Sequence, residues 1–283
     1  MKPRVWRALV VDDNAINLEV AAELLMQLGM QTDSASGGAQ AVAQAEAVAY
    51  DLIVMDVQMP GMDGRAATRL IRQLRAQKRL PPIIALTANA NADDRDACLA
   101  AGMDDFLTKP VSPQQLQRAL QRWLPGWAER AEPTHPAQAA AGAARPLTNS
   151  NPPLQAPLPM DQMLAAIAAI GGFDLAVSLR NLGGRMPTLV GLLRRFATTY
   201  RAGEPALAQA ARQGDTAALW QICHSLRGAC AVLSAHALVQ RIEALEEALL
   251  MPHTPATLTD RARPLQTELL ALVRQLEAAL GSG

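Results

Sequence analysis

The chain has 283 residues, half of them apolar and only 3% aromatic, enough for two modest cores built from Leu, Ala, Val, Ile and Met. Its 26 basic residues balance 26 acidic ones, 13 against 14 over residues 1–127 and 11 against 10 over 160–283. Neither half therefore has the basic excess of a nucleic-acid-binding module. No run of about 18 uncharged apolar residues is present to cross a membrane, and the N-terminus lacks the apolar segment of a signal peptide. Cys98, Cys223 and Cys230 are odd in number and without metal-ligand spacing, as expected for a reducing cytosol.

From Arg4 to Pro125 short apolar runs alternate with helical periodicity. Strands are expected at 6–11, 30–35, 51–56, 82–87 and 104–108, and helices at 14–28, 37–47, 63–78, 91–101 and 112–124. This alternation predicts an α/β doubly wound five-stranded parallel sheet with helices on both faces. The continuous apolar runs 51–55 and 83–86 belong at its buried centre. Chemistry sits where the runs end: Asp12 and Asp13 after the first, Asp56 on the third, Thr87 on the fourth, Lys109-Pro110 after the fifth. The carboxyl ends of parallel strands open onto one crevice, so three carboxylates, a hydroxyl and an ammonium converge there. Such oxygen ligands suit Mg²⁺, and a carboxylate such as Asp56 can attack phosphorus to give an acyl phosphate. A single aspartate at a strand end is commonly a helix cap, but capping does not account for the five residues together. Asp63 reads as a cap, and Asp104 and Asp105 read as solvated loop charges.

The words VVDDNAIN, VMDVQMPGMDG, ALTAN and FLTKP stand in this order across residues 4–125. They resemble a response-regulator receiver domain. The resemblance implies that Asp56 is the phosphoacceptor and that Asp13, Asp56 and the Gln58 backbone carbonyl ligate Mg²⁺, with Asp12 acting largely through a metal-bound water. It implies that Lys109 pairs with the phosphoryl oxygens, that the Thr87 hydroxyl bonds one of them, and that Thr87 and Phe106 form a switch biased by the new charge. A cis Lys109-Pro110 bond is also implied. A haloacid-dehalogenase-type phosphatase also uses an aspartate nucleophile with Mg²⁺, but needs a second aspartate where this chain has Gln58.

Residues 126–159 read as a Pro/Ala-rich flexible linker, with seven prolines between positions 128 and 159. From 160 to 281 Leu and Ala recur at helical spacing. Helices are expected at 161–169, 174–182, 186–201, 204–213, 215–233, 235–250 and 258–280, forming an all-α bundle. Gly214-Asp215 reads as a stop followed by an N-cap, and Pro252 ends the penultimate helix.

On the helix expected over 215–233, Leu219, Ile222, Cys223, Leu226, Ala229, Cys230 and Leu233 form one apolar stripe. His224 falls off the stripe with Gln221, Arg227, Gly228 and Ala231, and is expected to be exposed. An exposed imidazole can attack phosphorus. Arg227 can steady a phosphoryl group, and Gly228 removes a side chain that would obstruct a docking partner. With GGFDLAVSLRNLGG and LVGLLRRF upstream, this pattern resembles a histidine-phosphotransfer (HPt) domain, a four-helix bundle with one exposed histidine. That family usually has Lys where this chain has Arg227. His135, His236 and His253 read as solvated.

The two resemblances together imply phosphorelay signalling. Asp56 accepts a phosphoryl group from an upstream sensor histidine kinase, and His224 transfers it to or from a receiver aspartate, with a downstream response regulator as the final partner. The word Asp13-Asn14-Ala15-Ile16-Asn17 resembles receivers of hybrid sensor kinases, so a cytoplasmic tail of such a kinase, or a separate protein serving it, is expected. No Walker loop or kinase glycine and asparagine boxes are present, so the chain is not expected to phosphorylate itself from ATP, nor to bind DNA. The alternative is an adaptor that binds partners without phosphotransfer, which would have no need of the acidic pocket and Lys109. Whether Asp56 serves His224 of its own chain or of another is left open.

Overall fold

A computed structural model describes residues 5–74, 80–87, 92–128 and 160–281. Most of the segment read as a linker, with His135, lies outside the described residues, as does the end of the helix expected over 63–78. In the first half, β1 (Trp6–Val11), β2 (Met30–Ala35), β3 (Leu52–Asp56), β4 (Ile83–Thr87) and β5 (Asp105–Thr108) form one parallel sheet in the order β2-β1-β3-β4-β5. The register sets Val11 beside Met55, Asp56 beside Leu86 and Thr87 beside Thr108. The strand ends therefore line up, and the residues after β1 lie next to the end of β3. Every residue of β3 is buried, as its apolar run requires.

Between the strands run α1 (Ala15–Gln27), α2 (Gly38–Ala47), α3 (Gly64–Arg72) and α4 (Ala92–Ala100), with α5 (Pro113–Trp123) after β5. Short polar side chains start α1, α3 and α5: Asn14 accepts from the Ile16 amide, Asp63 from the Ala66 amide, and Ser112 forms a capping box with Gln115. Asp104 and Asp105 are not the solvated charges that their position suggested. The Asp104 carboxylate accepts from the Arg72 guanidinium and, at 2.7 Å, from the Ile83 amide. Asp105 accepts from Trp123 Nε1 at 2.8 Å. They tie the entry of β5 to α3, β4 and α5, links between segments that a local reading does not contain.

The second half is helical throughout: α6 (Met160–Ala168), α7 (Leu175–Asn181), α8 (Met186–Thr199), α9 (Pro205–Gln213), α10 (Thr216–Val232), α11 (His236–Leu249) and α12 (Pro255–Leu280). The long α12 packs on α6, α8, α9 and α11, and α10 packs on α9 and α11. Gly214 ends α9 with a left-handed φ of +67°, and the Asp215 side chain caps α10. The last helix starts at Pro255 rather than 258, because Thr254 and Thr257 cap each other's backbone and Pro255 suits the first turn.

The halves are not separate bodies. One apolar cluster runs from the α1 and α5 face of the sheet into the bundle, while a second fills the opposite sheet face. Helix α1 lies between sheet and bundle. Its buried residues run from Ile16 through Asn17, Val20, Ala21, Leu24 and Leu25 to Ala22. At 100° per residue they cover an arc of about 240°, far wider than the stripe of a helix covered on one side. Only Ala15 and Met26, neighbours on one narrow strip, are exposed.

Candidate functional site

Lys109 and three carboxylates meet at the carboxyl edge of the sheet. Lys109 Nζ donates to Asp12 Oδ2 at 2.7 Å and lies 2.8 Å from Asp56 Oδ2. Burial alone would lower the Lys109 pKa, but the carboxylates of Asp12 and Asp56 reverse the sign and hold it charged. The other oxygen of Asp12 accepts from the Asn14 amide at 2.9 Å and from Asn17 Nδ2 at 3.1 Å, so Asp12 is fully engaged. Asp13 is not: its Oδ1 is buried without a hydrogen-bond partner. Oxygens of Asp12, Asp13 and Asp56 lie within 4.8 Å of one another.

Three carboxylates around one ammonium leave excess negative charge, and the pKa values record it. Burial, with repulsion from Asp12 and Asp13, pushes Asp56 up to about 7 against the pull of Lys109. Burial and the Asp12 charge raise Asp13 to about 6. A hard divalent cation is the ligand that relieves such a site. The residues present fit Mg²⁺, with the orphaned Asp13 oxygen as the specific vacancy in the hydrogen-bonding scheme. Gly64 starts α3 against the end of β3, where a Cβ would collide with the Asp56 carbonyl oxygen. Thr87 is half-buried at the end of β4, and its carbonyl accepts from the Lys109 amide at 2.8 Å. Phe106 is half-buried on β5 with the Arg95 guanidinium 5.1 Å from its ring centre. Gln58 follows β3, its amide donating to Asp56 Oδ1 at 3.3 Å.

His224 lies elsewhere than its sequence pattern suggested. It does fall off the apolar stripe of α10, yet it is only 4% exposed, because α1 of the receiver half covers it. Asn14 Nδ2, just beyond the acidic pocket, donates at 3.2 Å to the Ser225 carbonyl and hydroxyl and to the Tyr200 hydroxyl. Gly228 is buried against Asn17, where a Cβ would stand 2.7 Å from Nδ2. What is seated against Gly228 is α1 of the chain's own receiver half. Burial, Lys109 and Arg227 together lower the His224 pKa to about 3, so the imidazole is neutral. Neither ring nitrogen has a hydrogen-bond partner. The ring instead stacks on Trp220, one turn earlier on α10, with centroids 5.4 Å apart and planes 8° from parallel.

Arg227 does not point a free charge at the histidine. Its Nη1 lies 3.1 Å from Glu246 Oε2 on α11, both side chains largely buried. Asn14, Tyr200, Trp220, Ser225 and Glu246 are the site residues that sequence reasoning missed. Only Asn14 and Ser225, adjacent to Asp13 and His224, carried any local signal. His236 and His253 are exposed as expected, and the three cysteines are free and buried.

Residues 8–121 match the response regulator receiver domain family, and residues 191–281 match the Hpt domain family. The chain therefore carries a receiver domain followed by an Hpt domain. Sensor kinases are among the proteins it resembles. The sensor protein GacS of Pseudomonas syringae pv. syringae is 34% identical over 267 residues, covering 92% of this chain and 26% of GacS. The signal transduction histidine-protein kinase BarA of Escherichia coli K12 is 42% identical over 118 residues, 42% of this chain and 13% of BarA. The receiver domain of sensor histidine kinase PA1611 from Pseudomonas aeruginosa PAO1, solved with magnesium in its active-site cleft, is 47% identical with a TM-score of 0.40, covering 42% of this chain and 98% of that one. The chain spans about a quarter of the length of the GacS relatives that it matches through both halves. Among the described residues no helix is long and apolar enough to cross a membrane.

Proposed function

We propose that this chain passes a phosphoryl group between Asp56 and His224 of the same molecule, as the tail of a hybrid sensor kinase or as a separate cytoplasmic protein serving one. The observation that carries the reading is the docking of α10 on the receiver: Asn14, next to Asp13, holds Ser225, next to His224, and the buried imidazole lies within the field of Lys109.

Asp13, Asp56 and the Gln58 carbonyl would hold Mg²⁺, with Asp12 acting at one remove. When bound, the metal neutralises charge on the phosphoryl oxygens and on the carboxylates. The Asp56 carboxylate attacks the phosphorus of an upstream phosphohistidine; the new O–P bond forms as the P–N bond breaks, and its electron pair stays on the departing imidazole. Lys109 shifts from the carboxylates to the phosphoryl oxygens, and Thr87 follows with its hydroxyl while Phe106 moves after it. The neutral His224 then attacks the same phosphorus through a ring nitrogen lone pair. The O–P bond to Asp56 breaks, its electrons restore the carboxylate, and the proton on the other ring nitrogen stays in place. A depressed pKa serves this step, since a protonated ring has no lone pair to offer. Arg227 steadies the transferred group from one turn along α10, held ready by Glu246. A downstream response regulator takes the group from His224.

Incubation with acetyl phosphate and Mg²⁺ tests this reading. Base-labile phosphate on Asp56 should appear first and acid-labile phosphate on His224 second, with the second absent in Asp56→Asn. Acid-labile phosphate forming in that variant, under the same small donor, would overturn the assignment.

A further inference from the structure

The Hpt half meets the receiver along the whole length of α1. Asn14 bonds Ser225 and Tyr200 at one end, Asn17 fills the space beside Gly228 in the middle, and Gln27 lies against Gly183 at the other, where a Cβ would stand 2.7 Å from Oε1. These contacts set register. Two ion pairs at the rim add charge selectivity. Glu19 and Glu23, one turn apart on α1, meet Arg195 within α8 and Arg185 at its start; Arg185 Nη1 lies 3.1 Å from Glu23 Oε1. Helix α1 carries these two carboxylates and no basic residue. Both arginines stay more than a third exposed. Partly exposed rim charges contribute little raw affinity, but they govern which partner docks and how fast.

Closing this dock has a second effect. It leaves His224 4% exposed, and one imidazole cannot face two receivers at once. Any other receiver needs the face that α1 occupies.

We propose that Arg185 and Arg195, paired with Glu23 and Glu19, are a specificity clamp by which the Hpt half selects its own receiver and shuts His224 away, so that a second receiver reaches the histidine only after the clamp opens. The gating consequence rests on the relay reading; the clamp itself does not, and is testable without phosphate.

The full-length chain is treated with diethyl pyrocarbonate and modification at each histidine is followed by mass spectrometry, with the exposed His236 as internal standard. His224 should react at least about ten-fold more slowly than His236, and Arg185→Glu with Arg195→Glu should bring the two within about three-fold, since reversed charges repel at the rim. Adding Glu19→Arg and Glu23→Arg to that variant should restore protection. Equal reactivity in the wild type, or failure of the four-fold swap to restore protection, overturns the clamp.

Gating is read in transfer between chains. The donor carries His224→Gln with both arginine reversals, so its own dock is open and its α1 glutamates are intact; it is labelled at Asp56 with acetyl phosphate and Mg²⁺. The acceptor carries Asp56→Asn. Adding Glu19→Arg and Glu23→Arg to the acceptor frees its α8 arginines and should speed labelling of His224 about five-fold or more, whereas adding the arginine reversals instead should not. An acceptor that gains nothing from freed arginines overturns gating. If no acceptor ever takes phosphate on His224, the relay reading fails, and the protection experiment still decides the clamp.

Discussion

The two residues proposed to exchange the phosphoryl group sit in opposite surroundings. Asp56 lies in a crowded polar pocket where Lys109 touches two carboxylates and Asp12 uses both of its oxygens. His224 lies a helix away with no hydrogen bond to either ring nitrogen and a flat indole as its neighbour. The carboxylate is surrounded by charge, and the imidazole is kept dry and neutral. In the proposed relay these are two electrostatic solutions, the first built by strand ends and the second made only when the domains meet.

Removing the nucleophile tests the polar end most severely. Asp56→Asn should lower Mg²⁺-dependent labelling by acetyl phosphate more than about 100-fold, read as stoichiometry by intact-protein mass spectrometry. His224→Gln should leave Asp56 labelling in place while abolishing acid-labile phosphate and delivery to a second receiver protein. Retained acid-labile label would move the second site elsewhere.

Crowding the interface comes next. Gly228→Leu should slow transfer from Asp56 to His224 about ten-fold, even though leaving glycine favours the helix itself by roughly 1 kcal/mol. A slower transfer with an unchanged or higher melting temperature separates obstruction of the dock from damage to the bundle.

The smallest effect expected from substitution is at Trp220. Trp220→Leu keeps an apolar side chain but removes the stacking plane, and should cost about three-fold in transfer, within the range of aromatic pair energies. An unchanged rate would show that the dock alone orients the imidazole.

The dry end also has a pH signature. A histidine whose pKa falls from 6.5 to about 3 on closing is neutral in both forms above about 6.5, and there it does not bias the equilibrium. Below that, the open form takes up a proton that the closed form refuses, so the closed form loses about 1.4 kcal/mol per pH unit. Asp13 and Asp56, raised by burial, carry the opposite sign, so the measurement belongs on the imidazole itself. By NMR, His224 should stay unprotonated down to about pH 4 in the closed chain and titrate near 6.5 once Glu19 and Glu23 are replaced by arginine.

How much of this was legible in sequence depended on range. Asp12, Asp13, Asp56, Thr87 and Lys109 were readable because parallel topology forces strand ends together, whatever the details of packing. Lys109-Pro110 is cis, as the resemblance implied. The α10 stripe was equally local, and it correctly set His224 off the bundle's core. Its burial was not legible, since periodicity reports which face meets the bundle and is silent about a second domain arriving on the other face. Arg227 looked like a free cation for the same reason: Glu246 lies nineteen positions on, across a helix turn. The start of α12 was missed because a Thr-Thr cap lacks the Glu or Gln that marks a capping box in sequence.

Helix α1 bears on how such a chain can change over evolutionary time. A helix covered on one side has a free face on which substitutions accumulate with little effect. Here only Ala15 and Met26 are exposed, so almost every position answers to the sheet, to the bundle or to both. Drift in the receiver is thereby coupled to drift in the Hpt half: a change at Glu19 or Glu23 calls for an answer at Arg195 or Arg185, and a larger residue at Asn17 meets Gly228. The two domains should therefore be inherited and exchanged as a matched pair, and a chimera joining either half to a relative's counterpart should fold yet dock poorly until α1 is transferred with it.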